Sequence, residues 1–340
     1  MAIAYDLVNP VVLTTTVRDA PEPPGIGLNA ILPDRLFTSF KAVWDDVTRT
    51  NRSAHFRAWD AATKVGKRDN ASRKEAEFLP LGEQYLLGER DQLELAAMET
   101  GGDASAQVRR IVFDDAVRGA NATRIRMEYA RGDVLRDGIV SITDDGLDLS
   151  YDFDLDADHE HTVAATWATA STDIPTHIGT FMDLWYDDGG GDAVLTVSRT
   201  TLRHLLTNEK FRALASINGF TPSTLSLPQL NSIMEGYGWP QIRVYNSSFD
   251  FDGATTRVID AQFALLTPLN PLDLGYTAWG VTAEALTLAQ AQMISVDGAA
   301  GLTAVVTVED EPVKTWTKVT GVGLPVLTNP KRLICIDTIP

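Results

Sequence analysis

From residue 152 to residue 160 the chain reads DFDLDADHE, which puts a carboxylate at every second position: Asp152, Asp154, Asp156, Asp158 and Glu160. Hard cations such as calcium are held by several carboxylate oxygens at once, so the ladder invites comparison with a calcium loop. A helix-loop-helix calcium site beginning at Asp152 needs glycine at its sixth position and glutamate at its twelfth, where this chain has Ala157 and Val163. The wet face of a β-strand produces the same period of two without a metal. His159 and His161 would share one face of a strand and have the chemistry to bind zinc, but no third ligand stands at a matching spacing.

Other catalytic signatures fail in similar ways. There is no GxSxG elbow, and none of the five histidines stands in a motif that pairs it with Ser or Cys. PPGIGLN and TGVGLP lack the downstream Lys of a phosphate-binding loop and the strand-turn-helix setting of a dinucleotide site. Asp187 and Asp188 before GGGD suggest a metal or substrate loop, yet a Gly-rich turn between a helix end and a strand over 193–197 needs no function. Cys335 is the only cysteine, which excludes an intrachain disulfide, and its setting in RLICIDTI predicts a buried, inert thiol on a strand. No enzyme activity and no cofactor is expected from these residues.

The elements that would position them begin with a Pro- and Gly-rich stretch, APEPPGIGLNAILPD over 20–34, which reads as an extended arm rather than a core element. RLFTSFKAVWDDV over 35–47 has the spacing of a short amphipathic helix, with Leu36, Phe40 and Val43 or Trp44 on one face. HFRAWDAAT and KEAEFLPL, joined by a polar Gly-containing turn, read as a long hairpin. The segment from Ser105 to Arg136 predicts the longest helix, capped by Asp103 or Ser105. It carries Val108, Ile111, Val112 and Ala116 in one stripe, with Ile125 and Tyr129 further on. Gly119 and Gly132 each cost about 1 kcal/mol there, which predicts a bend, a break or a close backbone contact. A DDG turn at 144–146 leads into alternation from Leu147 to Leu155, with Leu147, Leu149, Tyr151, Phe153 and Leu155 facing inward.

From residue 175 the pattern becomes helix, strand, helix, with Ser198 as an N-cap and Leu202, Leu205, Leu206 and Leu214 facing a core. Another helix (LPQLNSIMEGYGW) and strand (QIRVYNSSF) follow, which predicts an α/β region over about 175–300 and mostly strands and turns beyond it. No repeat of 20 to 50 residues and no low-complexity tract occurs, which argues against solenoids and propellers.

Charge is divided unevenly. The 340-residue chain has 46 acidic residues against 29 Lys and Arg, for a net charge of −17. Between residues 52 and 74 it instead gathers Arg52, Arg57, Lys64, Lys67, Arg68, Arg73 and Lys74 against only Asp60 and Asp69, a local +5 that leaves −22 for the remainder. Charge runs are usually solvated loops, and the sharper reading is a limb that docks on an acidic neighbour. The acidic balance disfavours gripping nucleic acid by counterion release. With no long apolar run and no signal-peptide pattern at MAIAYDLVNPVVL, the chain is expected to be cytosolic at synthesis, with no membrane partner.

This order of elements resembles the major capsid proteins of tailed bacteriophages, specifically the lambda-like major capsid protein E family with its Hong Kong 97-type α+β fold. The phrases that carry the resemblance are EFLPLGEQYLL, QVRRIVFDDAVRGANATRIRMEYARGDVLRDG, ATWATASTDIPTHIGTF, DAVLTVSRTTLRHLLTNEKFRAL and NPKRLICIDTIP, which together span nearly the whole chain. The resemblance implies an N-terminal arm over residues 1 to about 50, an extended β-hairpin loop over 51–90, and a peripheral domain over 91–174 with a spine helix at about 105–137. It further implies an axial domain over 175–300 and returning strands over 301–340.

By the same resemblance the protein is the shell subunit of a virion, assembling with itself into hexamers and pentamers in the host cytoplasm. It would enclose double-stranded DNA without sequence-specific binding. Portal, scaffolding protein and a decoration protein are the implied further partners; the chain opens directly on its arm, so a separate scaffold and protease are implied by analogy. The inter-subunit contacts would come from Arg52, Arg57, Trp59, Lys64, Lys67, Arg68, Arg73, Lys74, Phe78 and Leu79, with charge orienting the limb and apolar burial by Trp59, Phe78 and Leu79 holding it. Some phages of this fold join a loop Lys to an Asn of a neighbour; Lys64 and Lys67 invite that comparison, but lambda-like members do not suggest it. The rival expectations are a calcium-dependent binding module using the 152–160 ladder and an unrecognised hydrolase in the α/β region.

Overall fold

A single helix organises the molecule. Its residues carry a stripe of Val112, Ala116, Ala120, Thr123, Met127, Ala130 and Val134, all buried, at the three- and four-residue spacing of one helical face. In the computed structural model, which describes residues 2–3, 8–39, 41–48, 59, 70–98, 104–144, 146–216, 219–251, 253–295 and 297–339, this helix is α3, 34 residues long. The elements before it are β1 (Ala2–Ile3), α1 (Pro10–Asp19), β2 (Asp34–Leu36), β3 (Lys41–Thr48), β4 (Asn70–Glu77), β5 (Leu79–Leu87) and α2 (Glu89–Met98), with α3 itself at Ala104–Asp137. The expected capping residue Asp103 lies outside the described residues.

The expected bend or close contact at the two helix glycines proves to be close contact. A Cβ at Gly119 would stand 2.9 Å from the Val319 side chain, and one at Gly132 would stand 2.5 Å from the Val258 carbonyl oxygen. Both glycines therefore let the helix lie nearer to its neighbours than any other residue would permit. Gly138, with φ +72°, closes the helix by donating its N–H to the Val134 carbonyl at 3.0 Å.

The hairpin β6 (Ile139–Asp144) and β7 (Leu147–Asp152) follows, then β8 (Glu160–Thr162), α4 (Ile174–Asp187), β9 (Ala193–Val197), α5 (Arg199–Thr207), α6 (Glu209–Leu214) and α7 (Leu227–Gly236). The chain continues through β10 (Gln241–Val244), the hairpin β11 (Ser248–Phe251) and β12 (Ala254–Arg257), β13 (Phe263–Pro268), β14 (Gly275–Trp279) and α8 (Ala283–Gln290). It ends with β15 (Thr303–Asp310), β16 (Val313–Leu327) and β17 (Ile334–Asp337).

Two larger sheets gather these strands. The first runs β1-β15-β16-β14-β2, with β5 on the other side of β16; α3 and α1 cover one face and enclose Leu13, Val17, Val112, Ala116, Ala304, Val306 and Val319. The second runs β10-β9-β13-β17-β8 and packs with α4 to α7 around Trp167, Trp185, Phe211, Leu230 and Met234. Its closing strand β17 lies between β13 and β8. The pairing thus divides the chain elsewhere than at 174/175 and 300/301: β14 joins the first sheet, whereas β8 and β17 join the second. Among the described residues no helix is long and apolar enough to cross a membrane.

Several sequence expectations change. Residues 41–48, expected within a helix, form a strand paired over its length with β4. Ala42 is buried and Val43 is 51% exposed, a period of two that the β-branched Val43, Val47 and Thr48 favour over a helix. The hairpin partner of β4 is consequently this strand rather than HFRAWDAAT, which except for Trp59 lies outside the described residues, as does Phe40. Residues 20–34 are not a free arm, since Leu28, Ile31 and Leu32 are all within 3% of full burial in the first core. The helix expected to run on past residue 199 breaks at Asn208. There the side-chain oxygen accepts from the N–H groups of Lys210 and Phe211, starting α6 and leaving Leu214 40% exposed rather than in the core. Ser198 caps α5 as its sequence predicts, accepting from the Thr201 N–H at 3.0 Å.

Gly132→Ala is expected to destabilise the chain even though alanine is the better helix former. The new methyl meets backbone rather than a flexible side chain, so the clash outweighs the gain of about 1 kcal/mol in helix propensity. Urea denaturation of the variant reads this as a lower midpoint.

Candidate inter-subunit surface

The basic segment joins the body through the β3–β4 hairpin, and its root is held by particular contacts. Trp44 packs on Phe153 with ring centroids 5.8 Å apart, the Tyr151 hydroxyl accepts from the Glu77 N–H at 3.3 Å, and the Lys74 ammonium meets Asp154 at 2.8 Å. The hairpin therefore rests on the turn and strand end that follow α3.

Asp154 reaches Lys74 from a left-handed backbone conformation, φ 57°, with its N–H bonded to the Asp152 carboxylate at 2.8 Å. This corrects the reading of the carboxylate ladder. The strand stops at Asp152, residues 157–159 form a 3-10 turn, and only β8 resumes the extended chain, so the acids do not line one strand face. Phe153 is buried as expected, with Leu149, Tyr151 and Leu155 packed against the same core.

The proposed contact residues separate into distinct groups. Arg52, Arg57, Lys64, Lys67 and Arg68 lie outside the described residues. Trp59 is 97% exposed and Arg73 is exposed on β4. Lys74 is engaged with Asp154 of its own chain. Phe78 and Leu79 are only 4% and 5% exposed in the first core, where Phe78 neighbours Phe37 at 6.0 Å. Their surface is already spent on this subunit, so they offer little to a neighbour, and Trp59 remains the bare aromatic among the described residues of the limb.

The segment that leads into this hairpin is tied down by a buried polar network that sequence reasoning missed. Glu128 on α3 is fully buried, and one of its oxygens accepts from Gly27 N–H at 2.7 Å, Leu28 N–H at 2.8 Å and the Tyr245 hydroxyl at 2.9 Å. Its other oxygen pairs with Arg131 at 3.1 Å, one helical turn on. Arg131, 3% exposed, also donates to the Thr277 hydroxyl at 2.8 Å and to Asp34, which accepts in addition from the Trp279 indole at 2.9 Å. Burial, reinforced by the Glu128 anion, pushes the Tyr245 phenol far up, so it stays a neutral donor. Arg124 binds the end of α1 through the Val17 and Ala20 carbonyls at 3.1 and 2.9 Å. The only sequence signal for this network was the E-x-x-R spacing of Glu128 and Arg131 on the inner face of a long helix.

The residues that raised chemical possibilities have structural occupations. Both nitrogens of the buried His159 ring are engaged, Nδ1 with the Leu333 carbonyl at 2.7 Å and Nε2 with Asp188 at 2.9 Å. His161 stacks against Phe181, ring centroids 5.0 Å apart. Asp188 thereby holds the turn after α4 against the chain entering β17. Among the described residues no group of three or more His, Cys, Asp and Glu is arranged to hold a metal ion. Cys335 lies on β17, and burial pushes its thiol up to about 12, with Glu160 nearby acting in the same direction.

Comparison with known proteins gives a consistent answer. The family model of the phage major capsid protein E matches residues 9–337. A prophage protein of Escherichia coli CFT073 described as a capsid protein superposes with TM-score 0.63 at 14% identity, covering 97% of this chain and 99% of that one. A phage-related protein of Bordetella bronchiseptica RB50 gives 0.52 at 13% identity, with 99% and 98% covered. The mature capsid of bacteriophage PhiM1 gives 0.52 at 10% identity, with 94% and 89% covered. At such identities the solved structures establish the shared fold. No curated protein sequence matches the chain.

Arg131→Met should cost about 3 to 5 kcal/mol, because it strips the buried Glu128 carboxylate of its cation. Chemical denaturation measures the loss, and limited proteolysis should then cut within residues 20–34. Cys335 should resist iodoacetamide at pH 8 in the folded chain and react once the chain is denatured, since so few of its thiols are ionised at that pH.

Proposed function

The chain belongs to the phage major capsid protein E family, and from that premise we propose that it acts as a self-assembling tile whose basic limb lies across an acidic neighbouring copy. It is a structural component of a tailed-phage capsid. In this reading the copies form the hexamers and pentamers of an icosahedral shell, assembled in the host cytoplasm, with no catalytic step. A portal and a scaffolding protein are the further partners, with a decoration protein where the particle carries one.

The observation that carries the limb's role is the contrast between its two ends. Its root is fastened to the subunit by Trp44, Tyr151 and Lys74, while Trp59, further out, buries almost nothing on its own chain. An exposed indole inside a segment of net charge +5 suits a surface of opposite charge, and the rest of the chain supplies −22. Opposite unit charges 4 Å apart attract by about 4 kcal/mol at an effective dielectric near 20, but exposed pairs net only about 0 to 1 kcal/mol. Charge therefore sets the orientation, and apolar burial, at about 25 cal/mol per Å², supplies the hold. Weak individual contacts let a misplaced copy leave before a shell closes.

The acidic remainder also bears on the cargo. Asp148, Asp152, Asp156 and Asp158 are exposed, and a carboxylate-rich wall repels phosphates, so double-stranded DNA would pack against the shell without adhering to it.

Replacing Lys64, Lys67 and Arg68 together by Glu tests the limb while sparing Lys74, which serves the root. The variant is expected to keep the parent's circular dichroism and melting temperature yet to give no closed shells by negative-stain microscopy. Normal shells from this variant would remove the limb from the account of assembly.

A further inference from the structure

Strand β9 faces both cores. Leu195 and Val197 point into the second core, while Thr196 between them points the other way, opposite Leu265 of β13, which belongs to the first core. Thr196 is 3% exposed, and its hydroxyl has no hydrogen-bond partner in the protein. It borders a cavity that it shares with Tyr245, Ile259, Asp260, Phe263 and Leu265, at the seam between the two cores.

We propose that this seam binds one water molecule on the Thr196 hydroxyl, and that the water is a fixed part of the joint between the two sheets. The cavity leaves about 10 Å³ in which the centre of a water molecule fits, which is room for one and not for a cluster. Nearby hydroxyls are already satisfied: Ser198 and Thr201 both donate to the Ala261 carbonyl, at 2.7 and 2.8 Å, and Tyr245 donates to Glu128. Thr196 is the exception, and a buried hydroxyl left dry is costly. A bound water needs two to four polar partners, and the Asp260 carboxylate on the same lining offers an acceptor opposite the hydroxyl. The water would link β9 to the 258–263 segment, beside the direct link that the Tyr245 N–H makes to the Val197 carbonyl at 3.0 Å.

Thr196→Val keeps the shape of the side chain and deletes the hydroxyl, so the sign of its effect separates a wet site from a dry one. With the water in place, the full-length variant loses a hydrogen bond and its folding equilibrium constant falls about fivefold, read as a lower melting temperature. A high-resolution density map of the parent should show a peak about 2.7 to 3.2 Å from the Thr196 oxygen. A variant that melts at or above the parent temperature overturns the proposal, as does a parent map empty at that position. Should the variant not fold, the parent map alone decides.

Discussion

The buried pair of Glu128 and Arg131 is the constraint on which the rest of the subunit depends. A carboxylate with no exposure to water is tolerable only if donors surround it, and here they come from the chain before β2, from Tyr245 and from the next turn of the same helix. Two backbone N–H groups of residues 27 and 28, which belong to no regular element long enough to satisfy them, find their acceptor in the helix. The pair therefore contributes position more than strength. It fixes where the leading segment crosses α3, and through Asp34 and Trp279 it fixes where β2 joins the first sheet.

The two sheets are joined by chain that passes between them more than once. The chain enters the second sheet at β8, leaves it after β13 to supply β14 and α8 to the first, and returns for β17 after β15 and β16. Within β17, Cys335 packs in the first core while Ile334 and Ile336 pack in the second. Shared strands of this kind make the two cores one cooperative unit, so the hairpin bearing the basic limb projects from a stiff base.

Much of this was legible in the sequence because it followed local rules. The long helix announced itself by its stripe, its two glycines by their cost, the start of α5 by Ser198, and the buried thiol by the apolar run around Cys335. What stayed hidden depended on partners far along the chain. Helix α1 was missed because PVVLTTTVRD is rich in β-branched residues and becomes helical by packing Leu13 and Val17 on α3 and β15, with the Thr14 hydroxyl donating to the Ala304 carbonyl at 3.1 Å. Residues 41–48 read as a helix until their strand partner, some thirty residues on, imposed a period of two. Phe78 and Leu79 were assigned outward because apolar residues beside a charged hairpin suggest a sticky tip, whereas the hairpin returns to the core just before them. The network around Glu128 could not be seen because its donors are backbone groups and a tyrosine more than a hundred residues away.

The place of β17 bears on when a newly made polypeptide becomes competent. This strand is not an edge added to a finished sheet; it sits between β13 and β8, and its side chains enter both cores. While residues 334–337 are still untranslated or held within the ribosome, neither core can be completed, however long the preceding helices and strands have been available. Copies growing side by side on one messenger thus cannot present mature surfaces to one another, and the order of synthesis itself delays association until each molecule is whole.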